Sequence, residues 1–218
     1  IHSHILPGID DGAKNIEESV DLVLKMKELG FSKIIGTPHS YPGLYNNTTD
    51  SIKKAFEKIN NKHIKNINLE YASEYMIDKS LIEKAKNKSL LCLKEKFVLL
   101  EMSFISKPIG LYEIIYEIKI NGYTPIIAHP ERYLFLKLRD YYKLKKVGCL
   151  FQANLLSVTN YYGVDIQKKL DALISNQLID FVGSDIHHLR HIMAFENKVT
   201  CKEISSLKNL IDNNNQFL

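Results

Sequence analysis

Short apolar runs alternate with amphipathic segments along the whole chain. Residues 33–37 (KIIGT), 68–73 (NLEYAS), 97–102 (FVLLEM), 124–128 (TPIIA), 150–154 (LFQAN) and 179–183 (IDFVG) have the length and branched, apolar content of buried strands. The opening IHSH is a candidate seventh. Between them, Ile16, Val20, Val23, Leu24 and the stretch from Met26 to Leu29 fall near the 3.6-residue period of a helix. Asn15 with Glu18 three residues on resembles a capping box, and Gly30 is a natural stop. Ile52, Phe56 and Ile59 mark a second helix opening at Thr48, Thr49 or Asp50; Ile114 and Ile118 a third, ended by Asn121-Gly122; Leu170, Leu173 and Ile174 a fourth. This alternation predicts an α/β fold with a mainly parallel sheet, because parallel neighbours need a crossover and a helix supplies it. Closed into a ring the sheet is a (β/α) barrel; left open it is doubly wound, and periodicity barely separates the two.

The polar residues fall in a pattern along this frame. In barrels the working side chains sit at the C-terminal ends of the strands. Here His2 and His4 end the first run, His39 follows IIGTP, Glu74 follows LEYAS, Glu101 ends FVLLE, His129 follows PIIA, and Asp185 and His187 follow DFVGS. His2 and His4 lie two apart, so an extended segment points both to one side. Eight nitrogen and oxygen donors without a thiolate suit zinc, manganese or iron in a site of two or three ions, with Glu74 or Glu101 as the shared carboxylate. Such clusters activate water to hydrolyse a phosphate or an amide. His63, His188 and His191 fit the rim less cleanly and are assigned to the surface or to support of other side chains.

Composition narrows the picture. The 218 residues, 45% hydrophobic and 25% charged, are ordinary for one globular domain spanning 1–218. No run approaches the roughly 18 apolar residues of a membrane span. Cys92, Cys149 and Cys201 are scattered, without C-x-x-C, so the expected compartment is the reducing cytoplasm. The chain opens on Ile and is expected to begin inside a longer natural one. A net charge of +4, spread along the chain, predicts a solvated surface rather than a nucleic-acid groove.

Of 29 basic residues only Arg132, Arg139 and Arg190 are arginines. Arg132 stands three residues after His129 and Arg190 three after His187. The guanidinium fork matches phosphate oxygens bidentately, which favours a phosphate-bearing substrate; the competing role is pairing with an acid such as Glu131. A cysteine phosphatase needs Arg six positions after its Cys, but positions 98, 155 and 207 are Val, Leu and Leu. No glycine-rich phosphate loop and no G-x-S-x-G elbow occurs. A metal amidohydrolase would call for a lysine at a strand end, and none stands out there.

The motifs IHSH, TPH, SEY, LLEMS, IIAHPERY and VGSDIHH, in this order and spacing, resemble the polymerase-and-histidinol-phosphatase superfamily. The nearest branch is that of the bacterial manganese-dependent protein-tyrosine phosphatases of capsule and exopolysaccharide operons; DDG at positions 10–12 fits its first loop. The resemblance implies a distorted seven-stranded TIM-like barrel with a trinuclear site. The ligands would be His2, His4, His39, Glu74, Glu101, His129, Asp185 and His187, with Arg132 binding phosphate. Arg190 is a second phosphate candidate, although the family's second arginine lies further beyond the last histidine. The implied substrate is a phosphotyrosyl protein, a membrane-associated tyrosine autokinase, and metal-activated water is the implied nucleophile. Asp10, Asp11 or His39 is expected to protonate the leaving group. Tyr41, Leu44 and Tyr45 are candidates for a peptide groove. Alternatives are a phosphatase of a small molecule such as histidinol phosphate, and a non-catalytic regulatory module.

Overall fold

The alternation of strand and helix is realised almost throughout. The computed structural model describes residues 1–60, 64 and 67–218, so His63 lies outside the described residues. In chain order the elements are α1 (Ile16–Glu28), β1 (Lys33–Gly36), β2 (His39–Ser40), α2 (Thr49–Asn60), β3 (Asn68–Tyr71), β4 (Glu74–Met76), α3 (Ser80–Lys86) and β5 (Phe97–Glu101). Then come α4 (Leu111–Ile120), β6 (Thr124–Ala128), α5 (Leu138–Lys146), β7 (Leu150–Asn154), α6 (Val164–Ser175), β8 (Phe181–Gly183), α7 (Leu189–Ala194) and α8 (Ile204–Asn213). Each strand-to-strand pairing is parallel, in a six-stranded sheet ordered β2-β4-β5-β6-β7-β8 and a two-stranded sheet β1-β3.

The strands expected over 33–37 and 68–73 end at Gly36 and Tyr71, and after breaks at residues 37–38 and 72–73 each is followed by a further short strand, β2 and β4. Pro38 has no N–H to give, and the Thr37 N–H turns to the Ser3 carbonyl at 2.7 Å. The opening IHSH makes a single bridge, Ser3 to Ile186, rather than a named strand. It is nevertheless tied on both sides: the Thr37 N–H donates to Ser3 O, and the His4 N–H donates to Ile186 O at 2.8 Å. The α1 cap forms on Asn15, whose side chain accepts the Glu18 N–H at 2.9 Å. The Glu18 carboxylate accepts the Lys14 N–H instead of that of Asn15, so the reciprocal half of the box closes one residue early.

Both faces of the sheet are covered, as parallel strands require. Val98, Leu100, Ile127, Phe151, Ala153 and Val182 point to one face and pack with residues of α3 to α6 and α8 in a large cluster. Leu99, Ile126, Ala128 and Phe181 point to the other and cluster with Ile35, Ala72 and Phe217. A third cluster joins Ile5 and Leu6 to α1, α2, β1 and β3. No helix among the described residues is long and apolar enough to cross a membrane.

Candidate metal centre

The second face of the sheet changes character from one end to the other. Side chains alternate with a period of two, so Glu101 shares the face of Leu99 in β5, whereas His39 and Glu74 open β2 and β4 after the breaks that follow β1 and β3. Apolar residues fill one end of this face, and ionisable ones gather at the other, just past the ends of β1, β3, β6 and β8 and at the end of β5. His129 and Asp185 leave the strands with φ of 34° and 50°, the left-handed region that non-glycine residues seldom occupy. Their N–H groups hold them there, His129 on Gln152 O at 2.7 Å and Asp185 on His2 O at 2.9 Å.

Glu74, fully buried, is the hub. Its Oε2 lies 3.3 Å from His2 Nε2, 3.3 Å from His4 Nε2 and 3.2 Å from His39 Nδ1, and its Oε1 3.2 Å from His129 Nε2. Among the described residues, three groups could each hold a cation, the donor atoms of each all within 4.8 Å of one another: His2, His4, Glu74 and Asp185; His39, Glu74 and Glu101; His4, Asp11, His39 and His187. His129 belongs to none of them but reaches the shared Glu74. All eight residues expected from sequence as ligands thus converge.

The hydrogen bonds behind the rings show why the first group fits a cation. His2 Nδ1 faces Gln152 Oε1 at 2.8 Å and His4 Nδ1 faces Asp10 Oδ2 at 2.8 Å, so each Nδ1 carries the proton. The two Nε2 lone pairs then meet 3.2 Å apart, beside Asp185 Oδ1 at 3.2 and 3.4 Å and Glu74 Oε2. Acceptors facing acceptors repel unless a positive charge stands among them. Glu74 Oε2 and His39 Nδ1 are buried and close to these groups but make no well-aligned hydrogen bond, which fits the same demand.

Left to one another, these groups share protons. Burial and the His4 charge pull His39 down, but Glu101 at 2.7 Å and Glu74 outweigh them and raise it to about 9. Burial and the neighbouring Glu74 raise Glu101. Burial works against ionised Asp185, yet His2 and His187 hold it well below the usual carboxylate range. A cation taken up at pH 7 therefore displaces the His39 proton. We expect proton release on manganese titration, read by calorimetry in buffers of different ionisation enthalpy, and affinity rising about tenfold per pH unit for each proton displaced, up to about pH 9. Binding without proton release would contradict this.

The cluster opens into a cavity of about 250 Å³ lined by Asp11, His39, Glu101, Phe104, His129, Arg132, Tyr162, Asp185, His187, His188 and His191. Arg132 stands in it as expected, its Nη1 donating to Asp185 Oδ2 at 3.1 Å. Arg190 does not: it is exposed on α7, because the helical turn after His188 carries it away from the cavity. Asp10 also departs from expectation. It is buried behind His4, accepts the His4, Gly12 and His39 N–H groups, and is held at about 2 by His4 against the cost of burial. An ionised, enclosed carboxylate positions His4; it has no proton to give.

Spacing alone did not find Phe104, Gln152, Asn154, Tyr162 or the cavity placement of His188 and His191. Gln152 and Asn154 carried a signal, being polar residues two apart inside the apolar run LFQAN. Phe104 and Tyr162 come from loops and carried none. The cysteines stay out of the chemistry: burial raises the Cys92, Cys149 and Cys201 thiols to about 11, 12 and 11.

A parallel α/β scaffold with a histidine–carboxylate cluster at its strand ends is the frame of a metallohydrolase. The chain belongs to the capsular polysaccharide synthesis CpsB/CapC family, whose model matches residues 1–197. It is 33% identical over 195 residues to a Staphylococcus aureus candidate tyrosine-protein phosphatase, CapC, covering 87% of this chain and 76% of that one. It is 30% identical over 196 residues to the tyrosine-protein phosphatase YwqE of Bacillus subtilis, covering 87% and 77%. It also superposes, with a TM-score of 0.82 and 28% identity over 96% of this chain and 85% of the other, on a crystal structure. That structure comes from work on YwqE from Bacillus subtilis and CpsB from Streptococcus pneumoniae, described as metal-dependent tyrosine phosphatases.

Proposed function

We propose that this chain is a metal-dependent protein-tyrosine phosphatase, one catalytic domain spanning residues 1–218. The observation that carries the reading is the meeting of His2 Nε2, His4 Nε2, Glu74 and Asp185 as mutual acceptors, in a cluster whose Asp185 also lines the cavity that holds Arg132. His2, His4, His39, Glu74, Glu101, His129, Asp185 and His187 would hold two or three divalent ions, manganese first, with iron and zinc compatible with the same donors. When bound, such ions lower the pKa of water and neutralise phosphoryl charge. The opening segment acts as the seventh stave of a distorted barrel, supported by its bonds to Thr37 on one side and Ile186 on the other.

The chain's own residues supply the rest. Arg132 grips the non-bridging oxygens with the edge of its guanidinium that Asp185 leaves free. A phenol leaves with a pKa near 10, so a proton eases its departure. His39 presents Nδ1 to Glu74 and Glu101 and Nε2 to Asp11 at 3.4 Å, one nitrogen for a cation and one facing the cavity mouth. His39 and half-exposed Asp11 are therefore the proton donors in this reading.

A second cavity of about 240 Å³ adjoins the first, with Tyr41, Pro42, Tyr45, Tyr75 and Lys84 among its lining residues. The Tyr45 ring stacks on His39 at 5.7 Å and 14°, so it forms the wall between them. Tyr41 and Tyr45 fit a role in holding residues beside the phosphotyrosine; Leu44, 62% exposed, lies outside the lining. The substrate in this reading is a membrane-associated bacterial tyrosine autokinase, met in the cytoplasm, consistent with the family's link to capsular polysaccharide synthesis.

The test is manganese-dependent hydrolysis of a phosphotyrosyl peptide set against histidinol phosphate, with and without a chelator. The peptide is the expected better substrate, and chelation abolishes its turnover; preference for histidinol phosphate overturns the protein-phosphatase reading. Tyr45→Ala is expected to raise KM for the peptide several-fold while leaving KM for a small aryl phosphate within about two-fold, the scale of one lost aromatic contact. Arg132→Ala is expected to lower kcat/KM roughly 10- to 150-fold, the worth of a charged hydrogen bond, with metal content unchanged. Loss of metal from that variant would remove Arg132 from phosphate binding.

A further inference from the structure

We propose that Phe104 and Tyr162 are positioning residues, two rings that sandwich the Arg132 guanidinium and hold its free edge toward the catalytic cavity. The inference rests on the phosphatase reading above and deepens it. The Arg132 Cζ lies 4.3 Å from the Phe104 ring centre and 4.5 Å from the Tyr162 ring centre. Both distances are well inside the roughly 6 Å at which a ring face attracts a cation. The rings arrive from separate parts of the chain, Phe104 from the loop after β5 and Tyr162 from the turn before α6.

The grip has a third point. Arg132 Nη1 donates to Asp185 Oδ2, and Asn154 Nδ2 donates both to the same Asp185 oxygen, at 2.9 Å, and to the Tyr162 hydroxyl, at 3.1 Å. One amide thus fixes the ring and the carboxylate that together fix the guanidinium. The Arg132 side chain keeps 23% of its surface open, and Asp185 is the side chain its guanidinium bonds among the described residues. Several N–H donors on a fixed plane are left for an anion, beside groups suited to cations.

Phe104 is 49% exposed, a large ring held at the cavity mouth instead of in the core. A core role does not account for that placement, whereas covering a guanidinium face does. An arginine side chain is long, and a phosphate fork works only when its plane is already set. A lysine ammonium has no such plane for the rings to set.

The experiment measures affinity for inorganic phosphate in the manganese-loaded protein by calorimetry, KM and kcat for an aryl phosphate, and metal content. Phe104→Ala and Tyr162→Ala are each expected to weaken phosphate binding and raise KM about three- to thirty-fold, the range of a cation–π contact at partly buried sites. Metal content should not move. Tyr162→Phe keeps the ring and should retain most of the affinity. In an Arg132→Lys background, adding Phe104→Ala should cost less than about two-fold more, since the partner of the ring is already gone. Wild-type phosphate affinity in both alanine variants overturns the proposal. So does an undiminished Phe104→Ala loss in the lysine background, or a Tyr162→Phe variant as weak as Tyr162→Ala. Wild-type protein that loads manganese yet hydrolyses no aryl phosphate would sink the phosphatase reading instead, while the phosphate affinities still decide the clamp.

Discussion

Glu74→Ala is expected to lose most of its bound metal and essentially all turnover while keeping its fold. The carboxylate touches His2, His4, His39 and His129 at 3.2 to 3.3 Å, so among the described residues no other carboxylate is shared by as many of the candidate ligands. It also belongs to two of the three groups able to hold a cation. Removing a group that merely supports a metal ligand costs roughly 10- to 100-fold in metal affinity. Removing a shared ligand should exceed that and empty more than one position together. The fold should survive because Glu74 lies outside the three apolar clusters. Removing one partner of this buried charge cluster leaves the imidazoles around it short of negative charge, so the metal-free variant is expected to melt below the metal-free parent while still unfolding cooperatively. Metal per chain by mass spectrometry, turnover of an aryl phosphate and thermal melting by circular dichroism read the three claims separately. Normal metal content with normal turnover would mean that the convergence on Glu74 serves the fold and not the chemistry.

Much of this centre was legible because strand ends are legible. The runs TPIIA and LFQAN became β6 and β7 with the expected bounds, and the ionisable residues after the apolar runs met at one rim. Alternation then does the rest: Leu99 and Glu101 cannot help sharing a face. What stayed hidden depends on how loops return. Asp10 lies six residues beyond His4 and is brought under its ring only by the turn at residues 8–13, where the Ala13 N–H bonds His4 O and the Gly8 N–H bonds Ala13 O. Arg190 looked like a partner to Arg132 by its spacing from His187, but α7 intervenes and directs it to solvent. The breaks at residues 37–38 and 72–73 were hidden too, since an apolar run does not show where its hydrogen bonds turn to another segment. Barrel and doubly wound sheet share the same local pattern for that reason, and the bridge between Ser3 and Ile186 joins segments nearly the whole chain apart.

That same turn carries the second large effect. Gly12→Ala is expected to cost about 3 kcal/mol of stability, the upper end of ordinary overpacking, and to cut metal affinity by an order of magnitude or more. A Cβ on Gly12 would stand 1.9 Å from His4 O, 2.6 Å from His4 Cβ and 2.7 Å from His4 C. None of these atoms is the tip of a flexible side chain, so the backbone itself must shift. The shift falls where it matters, because the Gly12 N–H donates to Asp10 Oδ1 at 3.0 Å while Asp10 Oδ2 holds His4 Nδ1 at 2.8 Å. Moving residue 12 therefore turns the His4 ring away from His2, Glu74 and Asp185. Gly43 offers the contrast: at φ +85° with nothing within 4 Å, alanine there meets only the left-handed backbone penalty of about 1 kcal/mol and should leave metal binding untouched. Denaturant unfolding of both variants, each with and without manganese, separates a general loss of stability from a loss at the metal centre. If Gly12→Ala matched Gly43→Ala both with and without manganese, the close approach of residue 12 to His4 would have no part in aiming that ring.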